Sequence, residues 1–270
     1  MRHLHLAGAA VIALAAVPAF AADIPMRAPV VAPVVAPVYN WTGFYIGGNV
    51  GYHWDRDRTT TAANPIGWTV AGAAAIDGIT GGTTHPRGFI GGGQIGYNWQ
   101  TSSNFLWGFE ADANALGGTS SRLVTPFAVI NPADVFTTSA ETRFLATVRG
   151  RLGVTFDRAL LYVTGGLAVA NTEFTDSFGS FGNTVIASIS SSSTRAGWTV
   201  GGGFEYGFAD NWSAKIEYLY VDLGTIDTRI PSCTACAVGS DIGVSHKYTE
   251  NIVRFGLNYR FGGGPVIARY

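Results

Sequence analysis

The 270-residue sequence has no excess of basic charge, because 17 lysines and arginines face 18 aspartates and glutamates. A protein without a basic field is not expected to bind nucleic acid. Catalytic groups are also scarce, since the chain has five histidines and no serine in a nucleophile-elbow pattern. We therefore expect that it is not an enzyme. No apolar run reaches the roughly 20 residues that a membrane-spanning helix needs.

Alternation of apolar and polar residues dominates the rest of the chain. Eight stretches alternate with period two, which places their side chains on the two faces of β-strands. The connections between them are alternately short and long. The short ones lie at 101–104, 157–159 and 209–212, and the long ones at 55–87, 117–140, 173–196 and 225–247. This rhythm predicts an all-β fold, an eight-stranded antiparallel up-and-down transmembrane β-barrel, over residues 41–261.

The apolar faces of these strands carry aromatic residues at both ends and no charge between them. Phe44 and Trp54 mark the ends of one face, and Trp198 and Phe208 mark the ends of another. Aromatic residues placed in this way are typical of the two membrane interfaces. A soluble sandwich also alternates, but the opposite faces here carry charges of both signs, which a small soluble core would not tolerate unpaired. We therefore predict an apolar exterior in contact with lipid and a polar interior.

The polar faces predict a charged barrel interior. They contribute Glu110, Asp112, Glu141, Arg143, Arg149, Arg151, Glu205, Lys215, Glu217, Arg254 and Arg260. Because the interior of an eight-stranded barrel is only wide enough for side chains to fill it, we expect a salt-bridged plug that blocks flow. This predicts a structural role in the cell envelope. The alternative is a narrow ion path whose selectivity these charges set, as in a small diffusion channel.

Three histidines lie near the ends of predicted strands that are neighbours in a closed barrel. His53 ends the first strand, His85 precedes the second and His246 precedes the eighth. Neutral imidazole suits haem iron, zinc or copper, so these residues form a candidate haem or metal site at the outer rim. The simpler interpretation is that they are solvated rim residues, since no ligand spacing fixes their geometry. We therefore expect no cofactor, with haem as the alternative.

Two cysteines, Cys233 and Cys236, lie in the last long connection. In an oxidising envelope a local disulfide is the default expectation for such a pair. The C-x-x-C spacing also suits a redox motif or half a zinc site, but a second half is missing from the sequence.

The N-terminus has the features of a secretory signal, and we assign residues 1–22 to a signal peptide. Arg2 precedes a short apolar run, and the residues at 19–21 suit signal-peptidase cleavage. Residues 23–40 then repeat proline and valine, which favours an extended conformation and cannot build a core. We expect a semi-rigid periplasmic spacer here, with docking to a periplasmic partner as the alternative.

Seven segments resemble, in the same order, small alphaproteobacterial outer-membrane proteins of the OmpA-like eight-stranded barrel superfamily, often labelled the porin family. They are Trp41–Gly48, Gly91–Tyr97, Arg149–Gly153, Leu161–Gly166, Trp198–Gly203, Lys215–Leu223 and Val253–Phe261. The resemblance implies an outer-membrane location more firmly than channel activity. It also implies contact with outer-membrane lipids, lipopolysaccharide and the barrel assembly machinery.

An even number of strands places both termini on one side of the membrane. With the N-terminus periplasmic, the C-terminus is periplasmic too, and the long loops are extracellular. In many barrels of this kind a terminal aromatic residue is the assembly signal. Here both Phe261 and Tyr270, the last residue of a short tail at 262–270, fit that signal.

Overall fold

The computed structural model describes residues 39–64, 70–77, 82–101, 104–119, 121–126, 135–180, 184–230 and 241–262. The predicted signal peptide, nearly all of the proline-rich leader, both cysteines and nearly all of the tail lie outside these ranges. The elements, in chain order, are β1 (Gly43–Ala63), α1 (Val70–Asp77), β2 (Gly82–Thr84), β3 (Arg87–Gln100), β4 (Phe105–Thr119), β5 (Ser121–Pro126), β6 (Val135–Phe156), β7 (Ala159–Ser180), β8 (Thr184–Gly207), β9 (Trp212–Ile230) and β10 (Ile242–Arg260).

Eight of the strands form one closed antiparallel barrel. They pair in the order β1, β3, β4, β6, β7, β8, β9 and β10, and β10 returns to pair with β1 from Tyr45↔Arg260 to Ala63↔Ile242. The short strands β2 and β5 pair with β1 and β6 outside this cycle. Closure gives every barrel strand two neighbours and removes the exposed edge of an open sheet. The prediction of an eight-stranded antiparallel up-and-down barrel is confirmed.

The short connections lie together at one end of the barrel, which we call the turn end. Asn104 and Asp157 adopt positive φ angles of 60° and 53° there, in the left-handed region that these two residue types tolerate best. The described chain also begins and finishes at this end. The Phe261 amide donates to the Phe44 carbonyl at 2.8 Å, and the indole of Trp41 donates to the Asp157 carbonyl at 3.4 Å.

At the opposite end the prediction of long loops was largely wrong, because the strands continue through much of them. β7 and β8 remain paired as far as Ser180↔Thr184, and β6 to β8 are 22 to 24 residues long. A membrane crossing requires only about 9–11 residues per strand. Serine and threonine are frequent on both faces here, so no apolar alternation marks the strands. The backbone hydrogen bonds between paired strands form without such alternation. We call residues 55–63, 135–142, 172–180, 184–197, 222–230 and 242–250 the extension.

The outer surface of the barrel carries an apolar band between two rows of aromatic residues. Val50, Val148 and Leu167 are more than 60% exposed in the middle of the band. The row nearest the turn end contains Phe44, Trp107, Phe156, Phe208, Trp212 and Phe261, and the row below the extension contains Tyr52, Trp54, Phe89, Phe144 and Trp198. Beyond Trp198 the exposed residues of β8 are Ala196 followed by threonine and serine at 194, 192, 190 and 188. Such an exposed apolar band between two aromatic rows is typical of the lipid-facing part of a membrane barrel.

Helix α1 adjoins the extension, where the Ala63 amide donates to Asp77 Oδ1 at 2.9 Å. Among the described residues, no helix has the length and apolar character needed to cross a membrane.

Candidate functional site: the barrel interior

Nine of the eleven side chains predicted to be interior charges lie inside the barrel, each 6% exposed or less. β4 carries Glu110 and Asp112, β6 carries Arg149 and Arg151, β8 carries Glu205, β9 carries Lys215 and Glu217, and β10 carries Arg254 and Arg260. They face inward because strict alternation puts every second residue of each strand on the same face. The register places Glu110 opposite Arg149, Glu205 opposite Lys215, and Glu217 opposite Arg254.

Eight of these charges form one buried network at mid-height, which we call the ion-pair network. Its members are Glu110, Asp112, Glu205, Glu217, Arg149, Arg151, Lys215 and Arg254. The network therefore contains four acids and four bases. Their charges cancel, as burial in a low-dielectric interior requires.

Short bonds connect the network around the barrel. Arg254 bridges strands by donating from Nη1 and Nη2 to the two oxygens of Asp112, both at 3.1 Å, and from Nε to Glu217 at 2.8 Å. Glu110 accepts from Lys215 Nζ at 2.7 Å and from Arg149 Nη2 at 2.5 Å. Paired, charge-assisted bonds of this kind are roughly twice as strong as neutral ones.

Tyrosines inside the barrel complete the network on the side of the turn end. Tyr45 donates to Glu110 at 2.8 Å and accepts from Arg151 at 2.7 Å, while Tyr162 donates to Glu217 at 2.9 Å. The Arg151 guanidinium also lies 4.0 Å from the centre of the Tyr162 ring, a cation–π contact. Neither tyrosine is among the predicted site residues, although the inward position of each in its strand identifies it.

The prediction was wrong for Glu141 and Arg143, which lie on the outer surface. The Arg143 side chain is 61% exposed and pairs at 3.1 Å with Glu173, on the neighbouring strand β7. The cause is a bulge in β6, where the register with β7 shifts between Thr142 and Phe144. Since a bulge adds one residue without a partner, inward and outward positions exchange beyond it. Arg260 is interior but separate from the network, because its guanidinium lies 4.6 Å from the Tyr39 ring at the turn end.

Two apolar layers lie above and below the ion-pair network. Toward the extension, the buried cluster consists of Ile90, Leu116, Leu145, Ala168, Ala170, Leu219, Val221, Leu223, Tyr248 and Ile252. Toward the turn end, a second cluster consists of Tyr39, Trp41, Leu106, Leu160 and Tyr162. The charged layer therefore lies between two buried apolar clusters.

The three predicted rim histidines do not come together. His53 is buried inside the barrel opposite Ile252, and His246 is buried opposite Thr59, six residues further along β1. Six residues of a strand span about 20 Å. His85 is exposed on the outer surface. The rim site fails because β1 and β10 continue beyond the predicted strand ends, which places His53 and His246 at different depths.

His53 has neighbours that the sequence analysis missed. Its Nδ1 lies 3.4 Å from Asp55 Oδ1 and 3.2 Å from Glu250 Oε1, and the three side chains are at most 5% exposed. The predicted connection at 55–87 includes Asp55, and Glu250, which follows the connection at 225–247, is not among the predicted site residues. Continuing the alternation of β1 by one residue pair identifies Asp55. Cys233 and Cys236 lie outside the described residues, so their predicted disulfide stays a prediction.

Two comparisons by sequence agree on one family. The family model described as "outer membrane protein beta-barrel domain" matches residues 7–261. The 31 kDa outer-membrane immunogenic protein of Brucella melitensis is 34% identical over 94% of this chain and 98% of its own length. The 22 kDa outer membrane protein of Rhizobium leguminosarum bv. viciae is 30% identical over 82% of this chain and 79% of its own length. Among solved structures, the outer membrane protein OprG of Pseudomonas aeruginosa aligns over 83% of this chain and 99% of its own, with 11% identity and a TM-score of 0.45.

Proposed function

We propose that this chain, which belongs to the outer membrane protein β-barrel family, is a sealed structural barrel that holds a surface-exposed extension in the outer membrane. The family match and the apolar band fix the location in the outer membrane. The observation that carries the structural role is the ion-pair network, in which eight charged side chains pair with one another inside the barrel.

The network supports a sealed barrel better than a channel. An ion that passed through the barrel would have to displace residues such as Arg149 and Glu110, whose side chains are fully buried and bonded to each other. Removing one partner from a buried pair of this kind costs about 3–5 kcal/mol, so transient opening would be rare. An ion would also have to pass Leu145 and Leu219 of the buried apolar cluster, whose side chains offer no polar atom to replace its water shell.

The two ends of the barrel support one orientation in the membrane. The described chain begins and finishes at the turn end, so we place this end and both termini in the periplasm and the extension outside the cell. Relatives that are named immunogenic outer-membrane proteins support a surface role for the extension. We further propose that the apolar band contacts outer-membrane lipids and lipopolysaccharide, and that the barrel assembly machinery inserts the protein. No catalytic role is proposed.

Conductance of the folded barrel in planar lipid bilayers tests the sealed interior. We expect no discrete current steps from protein whose folding is verified by its heat-dependent mobility on a gel, while a general porin conducts in the same bilayer. The exposed-pair variant Arg143→Ala/Glu173→Ala is the matched control and is also expected to be silent. Reproducible steps from the folded wild type would overturn the structural proposal in favour of a diffusion channel.

A further inference from the structure

A second polar group lies inside the barrel, apart from the ion-pair network. It consists of His53 and Asp55 on β1 and Glu250 on β10, and we call it the His53 cluster. Asp55 and Glu250 are directly opposite each other in the β1–β10 register, and His53 is two residues away on the same inward face. Glu250 is distant in sequence from His53 and Asp55, and it meets them only because β10 closes the barrel onto β1.

The Glu250 carboxylate is poorly compensated for a fully buried group. Its side chain has no solvent exposure, and neither of its oxygens receives a hydrogen bond from the described residues. The ion-pair contact shown for it is the His53 ring at 3.2 Å. A buried charge with so little compensation is costly unless a cation or a proton joins it. Within the cluster, two carboxylates share one imidazole, so even a protonated ring leaves one negative charge.

The donor atoms of the His53 cluster have the spacing of a metal site. One nitrogen from His53 and one oxygen from each carboxylate all lie within 4.8 Å of one another. The separations from His53 Nδ1 are 3.4 Å to Asp55 and 3.2 Å to Glu250. Ligands bound to zinc at about 2.0–2.2 Å in tetrahedral geometry lie roughly 3–4 Å from one another. The cluster therefore needs little rearrangement to hold one ion.

An outer set of hydrogen bonds orients the Asp55 carboxylate. Tyr248 donates its hydroxyl to Asp55 Oδ2 at 2.6 Å, and this hydroxyl also lies 2.5 Å from Thr142 Oγ1. Oδ1, the other oxygen of Asp55, faces His53. Hydrogen bonds that fix a ligating carboxylate in this way are typical of protein metal sites.

We propose that the His53 cluster binds one divalent transition-metal ion, of which Zn²⁺ is the best match. His53 supplies imidazole nitrogen, and Asp55 and Glu250 supply carboxylate oxygen. Imidazole nitrogen favours zinc and its neighbours in the first transition row over calcium and magnesium, which prefer oxygen ligands alone. The ion neutralises the two carboxylates and ties β1 to β10, the pair of strands that closes the barrel.

Refolding with metal tests this proposal, because a buried site is loaded most readily during folding. The purified chain is refolded into detergent with EDTA or with Zn²⁺, separated from free metal by gel filtration, and analysed for bound zinc by mass spectrometry. Co²⁺ replaces Zn²⁺ in a parallel sample, whose visible absorption reports nitrogen and oxygen ligands. We expect one ion per folded chain, and a melting temperature that rises with metal concentration because the ion binds only the folded state.

Matched variants locate the ion. Glu250→Gln and His53→Gln keep the side-chain size and are expected to weaken Zn²⁺ binding by a factor of roughly 100 or more, by comparison with the 10–100-fold losses caused by changing outer hydrogen bonds alone. Glu173→Gln and His85→Gln change an exposed carboxylate and an exposed imidazole and are expected to bind normally. A folded wild type without stoichiometric zinc, or zinc retained equally by Glu250→Gln and His53→Gln, would overturn the proposal. If Glu250→Gln fails to fold, His53→Gln alone decides.

Discussion

Replacing Arg254 by methionine removes one cation from the ion-pair network while keeping most of the side-chain volume. The guanidinium makes three hydrogen bonds of 2.8–3.1 Å to Asp112 and Glu217. Its loss leaves four acids facing three bases in a region closed to water. Breaking a buried pair in this way costs about 3–5 kcal/mol, so we expect the free energy of unfolding to fall by that amount.

The matched control is Arg143→Met on the outer surface. The Arg143 side chain is 61% exposed and contacts Glu173 at 3.1 Å, so its loss should cost about 0–1 kcal/mol. Both variants, folded into lipid vesicles, are unfolded by urea and followed by tryptophan fluorescence and gel mobility. The comparison therefore separates the effect of burial from that of removing an arginine.

A second variant tests whether the loss of charge balance causes the destabilisation expected for Arg254→Met. Arg254→Met/Asp112→Asn removes one charge of each sign and restores neutrality. We expect it to be more stable than the sum of the two single changes predicts, with a coupling energy of about 0.5–3 kcal/mol. Strict additivity, or equal losses from Arg254→Met and Arg143→Met, would refute the view that a balanced, buried network stabilises this barrel.

Two further predictions concern the backbone. Gly47→Ala should reduce the yield of folded barrel, because the added Cβ meets the Leu257 carbonyl and the Asn258 side chain. Gly48→Ala on the outer face is the control, since its added Cβ makes only ordinary contacts. Equal yields of the two variants on heat-shift gels would contradict this prediction. Deleting Arg143 should leave folding intact, because it removes the extra residue of the β6 bulge. Deleting Val148 should abolish folding, because it exchanges inward and outward positions on one side of the deletion. Similar folding of the two deletion variants would show that the bulge does not set the register.

Alternation predicts well whether a side chain points inward or outward when one face of the strand is apolar. It predicts this poorly when neither face is apolar. Along β6, Arg149 and Arg151 follow the pattern because Val148 and Leu152 alternate with them on the exposed outer face. In the extension, residues 188–194 of β8 are nearly all serine and threonine, so this strand has no apolar face to detect, whereas Ile242, Val244 and Tyr248 of β10 are buried on its inward face. Those strands form because backbone pairing continues from the barrel below them.

Irregularities of the ladder limited the prediction of the site. The bulge near Thr142 moves Glu141 and Arg143 outward, although their spacing from Arg149 suggests the interior. Nothing in the local sequence distinguishes Arg143 as the extra residue. Only pairing with β7, whose Glu173 contacts Arg143, determines which residue is extra.

The sequence by itself determined the barrel, its apolar exterior and most of its interior charges, because alternation with period two is a local property that each strand carries. The tertiary structure decided which charges pair and where distant residues meet. Arg254 reaches Asp112 across the interior, and Glu250 reaches His53 only through the closing pair of strands. These contacts depend on strand register and strand length. Both are set by pairing between segments far apart in the chain, so local pattern alone does not determine them.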